Sequence, residues 1–313
     1  MHPAWSVVFF TVLSGAGYGF AALFILTDLL ALGGSVALQE LLAAVVLAAV
    51  LITVGLISSA GHLANPRNAW RSFMRFRTSW LSREAVLAVL FYPVALLYIG
   101  PYLALGLEHN AWTVTFAVLT AVLALATVLA TGMIYACVRA IREWSQGLTP
   151  VNYLLIGLGL GAAVLTAVRA FFRADPVPAA TMGVGVLAVA VVTKSAWYLW
   201  NAARPSGSSK ATALGLSGRP VRLMDAGHTA GNFLTEEFQY PLSVQWGRAL
   251  RGFALLATFA VPIPALAAVA LGAETLWAYV AVASAVLGAL VERWLVFAEA
   301  SHTVRLYYSA GRL

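Results

Sequence analysis

The sequence predicts an all-α integral membrane protein with eight transmembrane helices and both termini in the cytoplasm. Three observations carry this. Of 313 residues, 61% are apolar and 10% charged, and the mean hydropathy is +0.86. Soluble domains carry about 25% charged residues, because even a large core needs a charged shell. Eight stretches are apolar over the roughly 20 residues that a helix needs to cross a bilayer. The basic residues between them fall almost entirely on one side.

The first span runs from Trp5 to Thr27. Met1-His2-Pro3-Ala4 supplies no basic run ahead of it, so it reads as a retained helix and not a cleaved signal. Its Ser14-Gly15-Ala16-Gly17-Tyr18-Gly19 run suits close helix packing, and a setting inside a span excludes a nucleotide-binding loop. Asp28 closes the span near the outer surface, within reach of water. The next spans are Leu41 to Gly61, Ala85 to Leu107 and Ala111 to Val138, which complete a first four-helix half over residues 1–140. A second half, 141–313, keeps the same loop-length rhythm without a convincing sequence repeat. It holds Val151 to Phe172, Ala179 to Trp200, Gly252 to Ala273 and Thr275 to Ala298. Arg169 falls in the last turn of the fifth span. Lys194, inside the sixth and six residues before Trp200, is placed to snorkel to the inner interface.

Fifteen of the 19 Lys and Arg residues lie on the side of the termini. Arg169 and Arg173 lie opposite, while Lys194 and Arg293 are within spans. The positive-inside rule therefore makes the termini cytoplasmic. The outer turns at Gly33-Gly34, Glu108-His109-Asn110 and Gly272-Ala273-Glu274 are short. Longer segments, 62–84 and 201–251, face the cytoplasm, so a docking partner belongs on that face. A lone cysteine, Cys137, excludes a disulfide framework and any Cys-ligated cluster or structural zinc site within this chain.

The segment from Gly61 to Glu84 carries the most information. Asn65 is placed to cap a short helix with Pro66 at its first position. Arg67, Arg71 and Arg75 then recur every four residues along one face, with Trp70, Phe73 and Met74 towards another. That pattern predicts an interfacial helix with its arginines outward. Ser82 is placed to cap the third span, which puts Glu84 in its first turn. His62 leaves span two as Glu84 enters span three, so both belong at one membrane depth. An imidazole and a carboxylate there suit a quinone, whose two-electron reaction moves two protons. The helix dipole alone also favours a His at a C-terminus and a Glu at an N-terminus.

A bis-His haem requires two facing imidazoles within the bundle. His2, His62, His109, His228 and His302 all lie outside the middle of the spans, so no haem is expected; His62 and His302 share a face. Two other classes stay open. A secondary transporter calls for broken helices and polar groups near the midplane, for which Lys194 is the strong candidate. A passive scaffold would use the arginines only to hold partners.

Three stretches carry a family resemblance: Met1 to Thr11 with Ser14 to Gly19; Gly61 to Pro66 through Arg75 to Glu84; and Glu292-Arg293-Trp294-Leu295-Val296-Phe297-Ala298-Glu299-Ala300. Together they resemble the DmsC-type membrane anchors of molybdoenzyme complexes. Within that family the chain looks most like SoeC-type anchors of quinone-linked cytoplasmic sulfite dehydrogenases. The resemblance implies an anchor without haem in the bacterial cytoplasmic membrane, exchanging electrons with ubiquinone or menaquinone. It implies two partners, a molybdopterin catalytic subunit and a subunit with four [4Fe–4S] clusters, docked on the cytoplasmic face. The family's functional His and Glu match His62 and Glu84. Arg71, Ser79, Trp80, Ser82 and Arg83 are their neighbours in the same stretch, and Ser14 comes from the first. Asp225 to Phe233 matches the family's Asp-Pro-Pro-His-Thr version only in part. An anchor oxidising quinol for a DMSO or other S- or N-oxide reductase is the in-family alternative.

Overall fold

Small residues decide which helices lie at the centre. The computed structural model describes residues 1–61, 65–203, 208–216, 221, 238, 240–304 and 306. Eight helices are long and apolar enough to span a membrane: α1 (Trp5–Leu29), α2 (Leu38–Ala60), α3 (Trp80–Ala104), α4 (Ala111–Ala136), α5 (Leu148–Phe171), α6 (Val177–Ala203), α7 (Val244–Ala270) and α8 (Leu276–Ala298). Helix α1 is the most enclosed and packs against α2, α4, α5 and α8. Helix α5 packs against α1, α4, α6 and α8; α3 leans on α4, and α7 bridges α6 and α8. Among the described residues no strand forms. The even number of crossings leaves one end of the bundle carrying the termini, here the termini end, and a far end.

The α1–α5 contact is a backbone-to-backbone crossing. A Cβ on Gly19 would collide with the Gly157 carbonyl, and one on Gly161 would collide with the backbone at Gly19 and Phe20. Spacings of four residues, Gly15 with Gly19 and Gly157 with Gly161, put these glycines on facing stripes. Lipid tails are as apolar as the side chains, so close approach of this kind, and not water exclusion, holds the helices together.

Helix ends follow local chemistry and not the edge of the uncharged stretches. Asn110 and Thr113 form a reciprocal capping box at the start of α4. Asn110→Ala is expected to lower stability by about 1 kcal/mol, read as a lower thermal midpoint of the purified chain. In α3, Pro101 leaves the Leu97 carbonyl without its helical donor, and the Trp112 indole N–H donates to it at 3.0 Å. Helix α7 starts at Val244, well before the apolar stretch, because Arg248 and Arg251 lie on its exposed first turns. It then widens into a π turn at Leu256–Ala260 before Pro262. The proline ring cannot share space with the carbonyl four residues back, so Val261 N–H bonds to Leu256 O instead. Ser284 of α8 donates to the Ala257 carbonyl at 2.9 Å, and Gly288 lets α8 approach Thr258.

The segment between α2 and α3 departs from expectation in two ways. Pro66–Arg75 is a 3-10 helix, and the Asn65 side chain does not cap it. At three residues per turn, positions four apart are rotated by about 120°, so Arg67, Arg71 and Arg75 do not share one face. They are all exposed, as are Trp70, Phe73 and Met74. The cap of α3 is Ser79, which accepts from Ser82 N–H at 3.4 Å. Ser82 is itself a buried helical residue, because Trp80 and Leu81 extend the helix one turn beyond the apolar stretch.

Candidate functional site

The earlier cap moves Glu84 from the first to the second turn of α3, away from the helix mouth and against α4. It is buried, and its Oε1 accepts from the Thr131 hydroxyl. That hydroxyl also stands 3.0 Å from the Thr127 carbonyl. A hydroxyl offers one proton and two lone pairs. Thr131 therefore donates to an ionised Glu84. By turning its proton to Thr127, it accepts from a protonated one. Among the described residues no basic side chain pairs with Glu84. The phenols of Tyr18, Tyr135 and Tyr153 lie within electrostatic reach of the carboxyl. Tyr135 stacks on Tyr153 with ring centres 5.4 Å apart, and the Tyr153 hydroxyl is buried without a partner among the described residues. Helices α1, α3, α4 and α5 thus converge on one carboxyl near the termini end.

The remaining expected residues sort by location. His62 lies outside the described residues. Ser82 shares the buried start of α3 with Glu84, and its hydroxyl has no partner among the described residues. Arg83 covers the Trp80 ring at 4.2 Å and donates to the carbonyls of Phe76 and Arg77 at 3.0 and 2.8 Å. Those bonds tie the loop before Ser79 onto α3. Arg71 sits on the exposed 3-10 turn, 5.8 Å from the Trp70 ring. Ser14 is buried where α1 meets Gly55 of α2, its hydroxyl donating to Phe10 O at 2.6 Å. Tyr18, Thr131, Tyr135 and Tyr153 are absent from the sequence expectation. Their signal was present in part: Thr113, Thr120, Thr127 and Thr131 recur on one face of an otherwise apolar helix, and all are buried.

Two intramembrane charges behave differently from expectation. Lys194 does not snorkel. It is buried with Nζ 2.5 Å from Glu292, whose other oxygen lies 2.9 Å from Arg293. A carboxylate one helix away satisfies the ammonium without the stem bending towards water. Lys194 also lies over the Trp197 ring at 4.0 Å, and Arg293 over the Tyr153 ring at 3.7 Å. Asp28 is not wet. Tyr98 and Tyr102, one turn apart on α3, donate to its two oxygens at 2.9 and 3.0 Å, and His109 stands 3.3 Å away. Those rings cover it at the far end, where Arg169 also pairs with Glu40 at 3.2 Å and ties down Gly33 and Asp175 through their carbonyls. Beyond α8, burial holds the Glu299 carboxyl above the ordinary range, against the pull of Arg251 at 2.6 Å.

Comparison with known proteins agrees with this architecture. The family model for the DMSO reductase anchor subunit (DmsC) matches residues 1–297. The chain is also 33% identical to a sulfite dehydrogenase subunit of Allochromatium vinosum over 99% of both chains. A match of this extent leaves no domain of the chain outside the comparison. The chain belongs to the DmsC family of membrane anchor subunits.

Proposed function

We propose that this chain anchors a molybdoenzyme complex in the bacterial cytoplasmic membrane and passes electrons from an iron–sulfur subunit to quinone during sulfite oxidation. The single observation that carries the reading is Glu84. It is a buried carboxyl, unpaired by any described cation, whose Thr131 partner serves both protonation states. The fifteen basic residues on the termini side support a cytoplasmic setting for that end. The four-cluster iron–sulfur subunit then docks there, against the exposed arginines of Pro66–Arg75, and the molybdopterin subunit binds beyond it.

The surroundings of Glu84 fit a quinone, because the carboxyl is buried and the buried Tyr153 hydroxyl has no partner among the described residues. When bound, a quinone supplies the two-electron, two-proton acceptor. Glu84 and His62 hold and exchange those protons, and Ser82 and Tyr153 orient the carbonyls. Arg71, Ser79, Trp80, Arg83 and Ser14 shape the approach. Sulfite is favoured as the substrate by identity to a sulfite dehydrogenase subunit along the whole chain. The family model's description as a DMSO reductase anchor supports quinol oxidation as the second reading. The chain's residues serve either direction, because the potentials belong to the partners.

The test is sulfite-driven quinone reduction by the purified complex carrying His62→Ala or Glu84→Gln, with subunit retention measured on the same samples. Loss of quinone turnover with partners bound and dye-linked activity intact supports the site. Unchanged turnover in both variants would leave only the anchor function.

A further inference from the structure

Helices α2 and α3 are joined through the termini-side segment that holds Pro66–Arg75, yet they do not pack along each other. Helix α2 lies on α1 and α3 on α4. Between them is a cavity of about 170 Å³, lined by Phe20 and Phe24 of α1, Ala44 and Ala48 of α2, and Phe91 and Ala95 of α3, among other residues. The lining is almost wholly apolar. Its one tyrosine at the far end, Tyr98, has its hydroxyl committed to Asp28. With Thr120 likewise donating to Phe116 O, the far part of the cavity offers a head group with two carbonyls no free donor among the described residues. A hydrocarbon chain loses nothing.

The cavity is continuous in register with Glu84. Phe91 is seven residues along α3 from Glu84 and Ile99 fifteen, so the cavity lies about 10 to 22 Å from the carboxyl along the helix axis. At the near rim, Thr53 of α2 and Tyr92 of α3 share a hydrogen bond of 2.8 Å across the cleft. Tyr18, within reach of Glu84, meets Phe91 edge-on at 5.1 Å. A larger apolar groove of about 530 Å³ lies between α1, α2, α5 and α8, but no residue of α3 or α4 lines it, so it does not lead to Glu84.

We propose that the α2–α3 cleft is the binding channel for the prenyl tail of the quinone, with Thr53 and Tyr92 as the clasp that the chain passes beneath. This rests on the reading of Glu84 as the head-group site. The apolar lining gives affinity for the tail and none for the head. The channel therefore distinguishes quinones by tail and not by redox chemistry.

The test uses the complete purified complex and two probes: a ubiquinone with a short prenyl tail bearing a photoreactive group at its end, and the same head group without a tail. Illumination of the unaltered complex is expected to label α2 and α3 peptides that contain Ala48 or Ala95, with competition by unlabelled prenylated quinone. Ala49→Leu and Ala95→Leu, made separately on opposite walls, are expected to raise the KM ratio of tailed to tail-less quinone by about tenfold. Label elsewhere, or label displaced by phospholipid and not by prenylated quinone, overturns the channel, as does an unchanged KM ratio in both variants. Glu84→Gln separates the two readings. Loss of turnover with both quinones while the label persists supports head and tail sites together. Normal turnover with the label still in the cleft overturns the head-group site and leaves the channel standing.

Discussion

Glu292→Gln is expected to abolish accumulation of the folded chain, whereas Lys194→Met is expected to leave it near the level of the unaltered protein. Glu292 is the only carboxylate that the described contacts place between Lys194 and Arg293, at 2.5 and 2.9 Å. All three residues are buried. Removing the carboxylate strands two cations inside the bundle, and breaking even one buried pair costs about 3–5 kcal/mol. Removing Lys194 instead leaves Arg293 and Glu292 as a balanced pair, and an apolar chain of similar length fills the space beside Trp197. Replacing part of a buried ionic group by a well-packed apolar side chain is often neutral or stabilising. Chain abundance in isolated membranes and the detergent-unfolding midpoint of each variant read the difference. Equal losses in the two variants would contradict the account of Glu292 as the hub of the cluster.

The contrast between these residues shows what could be read from the chain alone. Apolar runs located all eight spans, because lipid forces a long uncharged helix wherever the chain crosses. The glycine run in α1 announced a close crossing, and its partner stripe, Gly157 with Gly161, sits in the fifth span where a search for facing glycines would have found it. Side-chain partners across helices were not legible. Lys194 and Glu292 are about a hundred residues apart, and nothing in either segment names the other. Asp28 likewise depends on Tyr98 and Tyr102, which look from the sequence like ordinary interfacial aromatics. The resemblance pointed to Glu84, but the choice between Ser82 and Ser79 as the cap, and so the depth of Glu84, rested on whether Trp80 and Leu81 join the helix. The uncharged-stretch criterion reports lipid depth and is blind to a helix that begins before it. The 3-10 geometry of Pro66–Arg75 was hidden for a similar reason. The arginine spacing matches an α-helix, and the different winding leaves all of these residues exposed.

Glu84→Gln is expected to lower quinone turnover by about 100-fold or more, in line with loss of a positioned proton donor or acceptor. Glutamine keeps the shape and can still meet the Thr131 hydroxyl, so assembly and dye-linked activity are retained. What is lost is a group that changes protonation state in place. Thr131→Val probes the same step from the other side. It keeps the volume and removes the hydroxyl that turns between Thr127 and Glu84. The carboxyl then loses its one described donor, the group that can bond it in either protonation state, so turnover should fall by about tenfold while the carboxyl remains. Thr131→Ser separates this from a packing defect, because it keeps the hydroxyl and removes only a methyl group. Turnover is expected to return most of the way in Thr131→Ser, whereas a packing defect would leave it low. Equal losses in Thr131→Val and Thr131→Ser, together with full activity in Glu84→Gln, would place proton exchange on groups other than this pair.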